Sequence, residues 1–176
     1  MTTFTTYGAR GSTPVSGFDF CRYGGQTTCF CVQNKGTTLI IDAGSGLTDL
    51  SPNPESAAAG RYTVLLTHFH IDHLIGLYAC GLRYRDDVEL AFVADRNAHP
   101  DWDSALQGIT GVAFWPVTLN ESSAHISYTD ISPQASMQVG AFTVSCGPLS
   151  HPQGCTAYRI SSDDGVIVVA TDVELA

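Results

Sequence analysis

Thr67-His68-Phe69-His70-Ile71-Asp72-His73 puts three of the chain's six histidines and one carboxylate into six consecutive positions. Imidazole and carboxylate together form the donor set that zinc, manganese and iron accept. The gaps of two and then three residues fit neither a strand nor a helix repeat, so they suit a turn that folds the side chains around a point. Three unrelated histidines and a helix-capping Asp72 would explain each residue singly, but not their density. Val64-Leu65-Leu66, just before the cluster, has the apolar character of a buried strand, and Leu74-Ile75-Gly76-Leu77-Tyr78 after it reads as the start of a short helix.

The cluster resembles the T-H-x-H-x-D-H signature of the metallo-β-lactamase-fold hydrolases. Other segments resemble, in chain order, a subgroup of that superfamily with phosphodiesterase-like and ribonuclease Z-like members. They are Gly8-Ala9-Arg10-Gly11-Ser12, Arg22-Tyr23-Gly24-Gly25-Gln26-Thr27-Thr28-Cys29, Asp42-Ala43-Gly44-Ser45-Gly46-Leu47, Phe114-Trp115-Pro116-Val117, His151-Pro152-Gln153-Gly154 with Tyr158-Arg159-Ile160, and Ala170-Thr171-Asp172-Val173-Glu174. The resemblance implies an α/β protein with a metallo-β-lactamase-like αββα sandwich. It further implies two divalent metal ions, zinc first and manganese or iron as alternatives. His68, His70 and His151 would bind one metal, Asp72 and His73 the second, and Asp172 would bridge them.

Such a site makes a nucleophile from water, since even one catalytic zinc can bring the pKa of a bound water to about 7. Asp72 is the catalytic candidate, because its carboxylate could also orient that water. Metal-dependent phosphodiester hydrolysis is the activity the resemblance favours. A carboxylic ester or lactone hydrolase of the same fold is the alternative among enzymes, and a non-catalytic metal-binding or interaction module is the alternative outside them. Gly76-Leu77 stands where thioesterase-like and lactamase-like members often carry Gly-Gly, which disfavours those roles.

The resemblance also exposes a departure. The superfamily's usual domain is longer and supplies a further histidine to the second metal near its C-terminal end, and no residue after Asp172 can fill that place. Residues 1–176 are therefore expected to be one hydrolase domain shortened at the C-terminus, with the second site short of one ligand. A sandwich cut there should leave apolar sheet surface uncovered, which would favour a homo-oligomer.

The elements that must position these residues are mostly strands. Thr3–Tyr7 reads as a strand and Gly8–Gly17 as a loop. Thr27–Gln33 and Thr37–Ile41 read as a hairpin about Asn34-Lys35-Gly36, followed by a Gly-rich turn at 42–46. Ser51–Gly60 is a connector. Glu89–Ala94, Phe142–Cys146 and Gly165–Ala170 are further strands, and Pro100–Gln107 a short helix with Pro in its first turn. His68, His151 and Asp172 each follow closely on a strand, and loops at one rim of a sheet can converge on a ligand.

Composition limits the partners. The net charge is −9, with eight Lys and Arg in all, and Lys35 is the single lysine. Extended nucleic acid is thereby disfavoured, since polyanion affinity comes from such cations. A small anionic substrate is compatible, because a bound dication supplies local positive charge. No export signal and no apolar run of about 18 residues is visible, so no membrane partner and a cytoplasmic location are expected. Cys21, Cys29, Cys31, Cys80, Cys146 and Cys155 are then expected as thiols, with Cys29 and Cys31 buried. Arg10 and Arg22 read equally as phosphate contacts or as structural arginines. Asp42 reads equally as a turn former or as a residue orienting a liganding histidine. His99 and His125 read as ordinary loop residues, and Gly24-Gly25 as a turn.

Overall fold

The structure, a computed structural model, describes residues 1–50 and 60–174. The connector expected over Ser51–Gly60 thus falls, except for Gly60, outside the described residues. The hairpin forms as its turn chemistry demands. Lys35 and Gly36 both take left-handed backbone, φ 46° and 77°, the pair of values that a two-residue hairpin turn needs to match the twist of its strands. The turn joins β2 (Cys29–Asn34) to β3 (Thr37–Ile41), and β1 (Thr3–Gly8) adds antiparallel on the other side of β2.

From β3 onward the pairing turns parallel, through β4 (Gly60–Leu65), β5 (Val88–Asp95) and β6 (His125–Ile131), giving a six-stranded sheet in sequence order. Its central strands are apolar on both faces because both are covered. Val64 and Phe92 face a helical layer made of α1 (Leu47–Leu50), α2 (Trp102–Ile109) and several 3₁₀ turns. Leu65 and Val93 face a second sheet. That second sheet, antiparallel throughout, runs β10-β9-β8-β7, built from β7 (Ser136–Val139), β8 (Phe142–Leu149), β9 (Cys155–Ser162) and β10 (Gly165–Val169). Phe142, Val144, Tyr158, Ile160 and Val169 fill the space between the sheets. The protein is thus α/β, with a helical layer, a sheet and a second sheet among the described residues.

Three expectations need correction. The helix foreseen from Leu74 is only a pair of 3₁₀ turns, Ile71–His73 and Ile75–Leu77. The Gly76 amide is drawn instead to the Ala43 carbonyl at 2.8 Å, and the backbones come so close that a Cβ on Gly76 would lie 2.0 Å from the Gly44 oxygen. The helix foreseen over Pro100–Gln107 begins two residues later and ends at Ile109. Among the described residues the expected bare apolar face is also missing. The outward residues of β8 and β9 include Thr143, Ser145, Arg159 and Ser161, so this antiparallel sheet solvates its own outer face, and the large apolar side chains it exposes are Val166 and Val168 on the edge strand.

Among the described residues no helix is long and apolar enough to cross a membrane. The six cysteines are free thiols, with Cys29 and Cys31 both buried.

Tyr158 pins the two sheets together at the place where the metal-type cluster begins. Its ring is fully buried, and its hydroxyl donates to the Leu66 carbonyl at 2.7 Å, one residue beyond β4. Tyr158→Phe should therefore cost about 1–2 kcal/mol of unfolding free energy by leaving a buried carbonyl short of a donor. Urea unfolding of the two proteins checks this, and equal midpoints would show that the bond carries no stability.

Candidate metal centre

The ends of three strands meet at one rim. β4 ends at Leu65, three residues before His68; β8 ends at Leu149, two before His151; β10 ends at Val169, three before Asp172. Backbone hydrogen bonds fasten the rim, from the Thr156 amide at the start of β9 to the Thr67 carbonyl at 2.8 Å and from the Glu174 amide to the Ser150 carbonyl at 2.7 Å. The residues singled out from sequence are brought together there. His70 Nδ1 lies 3.0 Å from His68 Nε2 and 3.2 Å from His151 Nε2. Three nitrogens bonded to one tetrahedral zinc at 2.0–2.1 Å would stand about 3.3 Å apart, so the imidazoles already have close to the separation that ligation requires.

Asp172 stands between two groups of donors. Its Oδ2 is 3.7 Å from both His68 Nε2 and His151 Nε2, and 3.5 Å from His73 Nε2. His73 Nε2 is in turn 3.7 Å from Asp72 Oδ2. His68, His70, His151 and Asp172 form one set, and Asp72, His73 and Asp172 a second, each with its donor atoms within 4.8 Å of one another.

The electrostatics fit cations. His73 is buried and its Nε2 has no hydrogen-bond partner, although a buried polar atom left unpaired is costly. That nitrogen points between two carboxylates, where a positive ion would satisfy all three. Burial opposes the charged form of His73, but the hydrogen bond it donates to Asp42 and the charges of Asp42, Asp72 and Asp172 outweigh it and raise its pKa. Burial, with His73 and His70 beside it, pulls the His68 pKa down to about 3, so this imidazole is neutral at pH 7 with a lone pair free for a metal.

No protein-family model matches the sequence, and no curated protein matches it. Solved structures do. The metallo-β-lactamase-fold protein YhfI from Bacillus subtilis superposes with a TM-score of 0.70 at 19% identity over 99% of this chain and 64% of its own. A diphosphatase of the PhnP family gives 0.67 at 15% identity over 92% and 63%, and the short form of human tRNase Z gives 0.66 at 15% over 99% and 71%. The chain has the metallo-β-lactamase fold. At these identities the likeness is one of fold, and the chain spans just under two thirds of the first two of these structures.

Within the metallo-β-lactamase fold of this chain, the residue that organises the centre is Asp42. Its backbone is left-handed, φ 60°, and its carboxylate is fully buried. Oδ1 accepts the Thr67 amide at 2.8 Å, while Oδ2 accepts the Thr67 hydroxyl at 2.8 Å and His73 Nδ1 at 2.7 Å. Thr67 Oγ1 also sits 3.1 Å from His68 Nδ1. The two readings of Asp42 coincide: it makes the turn, and it holds a histidine of each set with its inner nitrogen toward the centre. Asp72 is fixed from another direction, by the Ser12 amide at 2.7 Å, and His70 Nε2 is 3.0 Å from Gln153 Oε1.

Thr67, Ser12 and Gln153 carried no role in the sequence reading. Each stood inside a segment of the resemblance, but nothing in its type marked it as a partner of a candidate ligand. Arg83 was missed as well. Fully buried, it donates to the carbonyls of Leu77 and Val117 and to the Ser122 hydroxyl, clamping the 114–117 segment to the turn after the cluster. His99 and His125 join neither donor set. His99 packs its ring 5.0 Å from that of Phe69, and His125 is exposed as the first residue of β6 rather than in a loop.

Asp42→Asn would press an amide N–H₂ against donors that now meet a carboxylate oxygen. The expected loss is about 2–4 kcal/mol, since buried donors are left unpaired. Denaturant titration with chelator present measures it free of any metal effect, and a stability within error of the parent would remove Asp42 from its organising position.

Proposed function

We propose that the two donor sets hold two divalent metal ions, zinc first, and that the protein hydrolyses a small anionic phosphodiester. The observation that carries this reading is the shared ligand: Asp172 belongs to both sets, which is the arrangement of a dinuclear centre. Bound there, a pair of dications would acidify a water and neutralise charge on a phosphoryl group. The chain's own residues supply the rest. His68, His70 and His151 define one site; Asp72 and His73 define the other. The Asp72 carboxylate, anchored on one oxygen by the Ser12 amide, is the group to orient the attacking water and take up its proton.

Two arginines favour a phosphodiester over a neutral ester. Lys35, Arg61, Arg85 and Arg96 each face a carboxylate. Arg10 and Arg22 lie on the loop whose Ser12 touches Asp72, and among the described residues neither has a carboxylate partner. Arg10 lies 5.2 Å over the Phe20 ring and donates to the Thr13 carbonyl, and Arg22 lies 5.0 Å over the Tyr23 ring. Guanidinium groups so placed are free to meet phosphate oxygens. Proteins of similar fold, among them a PhnP-family diphosphatase, a tRNase Z and yeast PDE1, are in keeping with phosphate ester chemistry. A cytoplasmic location belongs to the same proposal.

Metal analysis of protein purified without chelator or histidine tag should find zinc, manganese or iron. Near-zero content after reconstitution with each would defeat the proposal at its base. The loaded protein should turn over bis(p-nitrophenyl) phosphate faster than p-nitrophenyl acetate or a β-lactam, and the reverse order would reject the phosphodiester. Asp72→Ala should lower kcat by about 10²–10⁴, and Arg22→Ala should raise KM for the phosphodiester while leaving that for the acetate unchanged.

A further inference from the structure

Four non-glycine residues of the described chain have positive φ: Ser12 at 69°, Lys35 at 46°, Asp42 at 60° and Gln153 at 66°. Residues with a Cβ rarely enter this region, because the side chain crowds the backbone carbonyl, and those that do are chiefly asparagine and aspartate. Lys35 is accounted for by the hairpin. Each of the other three hydrogen-bonds a different residue of the candidate centre: Ser12 reaches Asp72, Asp42 reaches His73, and Gln153 reaches His70. Strained backbone of this kind persists where the surroundings hold it, and it gathers at functional sites.

Gln153 is the least expected of the three. The Gly154 amide donates to the His151 carbonyl at 2.9 Å, which closes a four-residue turn with Pro152 second and Gln153 third. A turn with proline second and positive φ third is the type that calls for glycine at the third place. The chain has its glycine one residue later, at 154, itself left-handed at φ 88°. Turn formation alone therefore gives no reason for a glutamine. The side chain gives one, since Oε1 lies 3.0 Å from His70 Nε2 while His70 Nδ1 faces His68 and His151.

We propose that Gln153 is a positioning residue for His70, kept at a glycine position of the turn because its amide oxygen accepts the His70 Nε2–H and so leaves Nδ1 unprotonated toward His68 and His151. This rests on the reading of His68, His70 and His151 as a metal site. Ser12 differs in kind, for it holds Asp72 through its backbone amide, which any residue but proline would keep.

The experiment compares Gln153→Gly and Gln153→Glu with the parent in three measurements: melting in chelator, zinc affinity by competition with a chromophoric chelator, and the His70 tautomer from ¹⁵N chemical shifts of the metal-free protein. Gln153→Gly should melt about 2–4 °C higher, because glycine relieves the strain, yet bind zinc 10- to 100-fold more weakly, in the range seen when a ligand's supporting hydrogen bond is lost. Its His70 should become a mixture of tautomers. Gln153→Glu, which keeps an acceptor, should keep the parent's tautomer and affinity. The proposal is overturned if Gln153→Gly leaves the tautomer unchanged, or if its melting temperature falls along with its affinity, the sign of a purely scaffolding turn. Failure of the parent to bind zinc would instead sink the metal reading, and the tautomer of His70 would still decide the role of Gln153.

Discussion

The centre depends on one buried carboxylate. Asp42 lies at the end of β3 with no exposed surface, and the Thr67 amide, the Thr67 hydroxyl and the His73 ring all donate to it. An ionised carboxylate in such a place survives only by accepting several hydrogen bonds, so the chain has little freedom in how it leaves β3 and β4. The same bonds that keep the charge tolerable also dictate which nitrogen of His73, and through Thr67 which nitrogen of His68, faces inward. Folding stability and site geometry are here a single arrangement.

That arrangement needs the turn after β3 and the loop after β4 to press together. Glycine makes it possible at two places: a Cβ on Gly44 would come within 2.4 Å of the Asp72 carbonyl, and one on Gly76 within 2.0 Å of the Gly44 carbonyl. The Ala43 amide then donates to the His73 carbonyl at 2.7 Å. From the other side, Tyr158 joins the second sheet to Leu66, and the Thr156 amide joins it to Thr67. Contacts from two sides, most of them between backbone groups, thus fix the loop that carries the cluster.

The sequence made the candidate cluster legible because its chemistry is rare and local. Four metal-type side chains in six positions can be recognised from types and spacing, and the strands before His68, His151 and Asp172 show as apolar runs. β6 and β7 were not legible. His125-Ile-Ser-Tyr-Thr-Asp-Ile131 and Ser136-Met-Gln-Val139 are largely half-buried or exposed, and they become strands by pairing with β5 and β8 rather than by their own pattern. β9 escaped too, although its alternation is clear once Tyr158 and Ile160 are seen facing inward. Gln153 and Ser12 were beyond reach for another reason. Their signal is a backbone angle and a partner some 60 to 83 residues away, neither of which leaves a mark on local composition.

The donors come from both sheets: His68, His70, Asp72 and His73 from the loop after β4, and His151 and Asp172 from the ends of β8 and β10. A cation held among them would act as a rivet through the sandwich, binding only while the layers are shut. Its concentration would then set how tightly the halves stay closed, at about 2.7 kcal/mol for an ion present at a hundred times its dissociation constant. For such a protein a chelator is a mild denaturant, and metal supply in its surroundings would govern its lifetime as well as its chemistry.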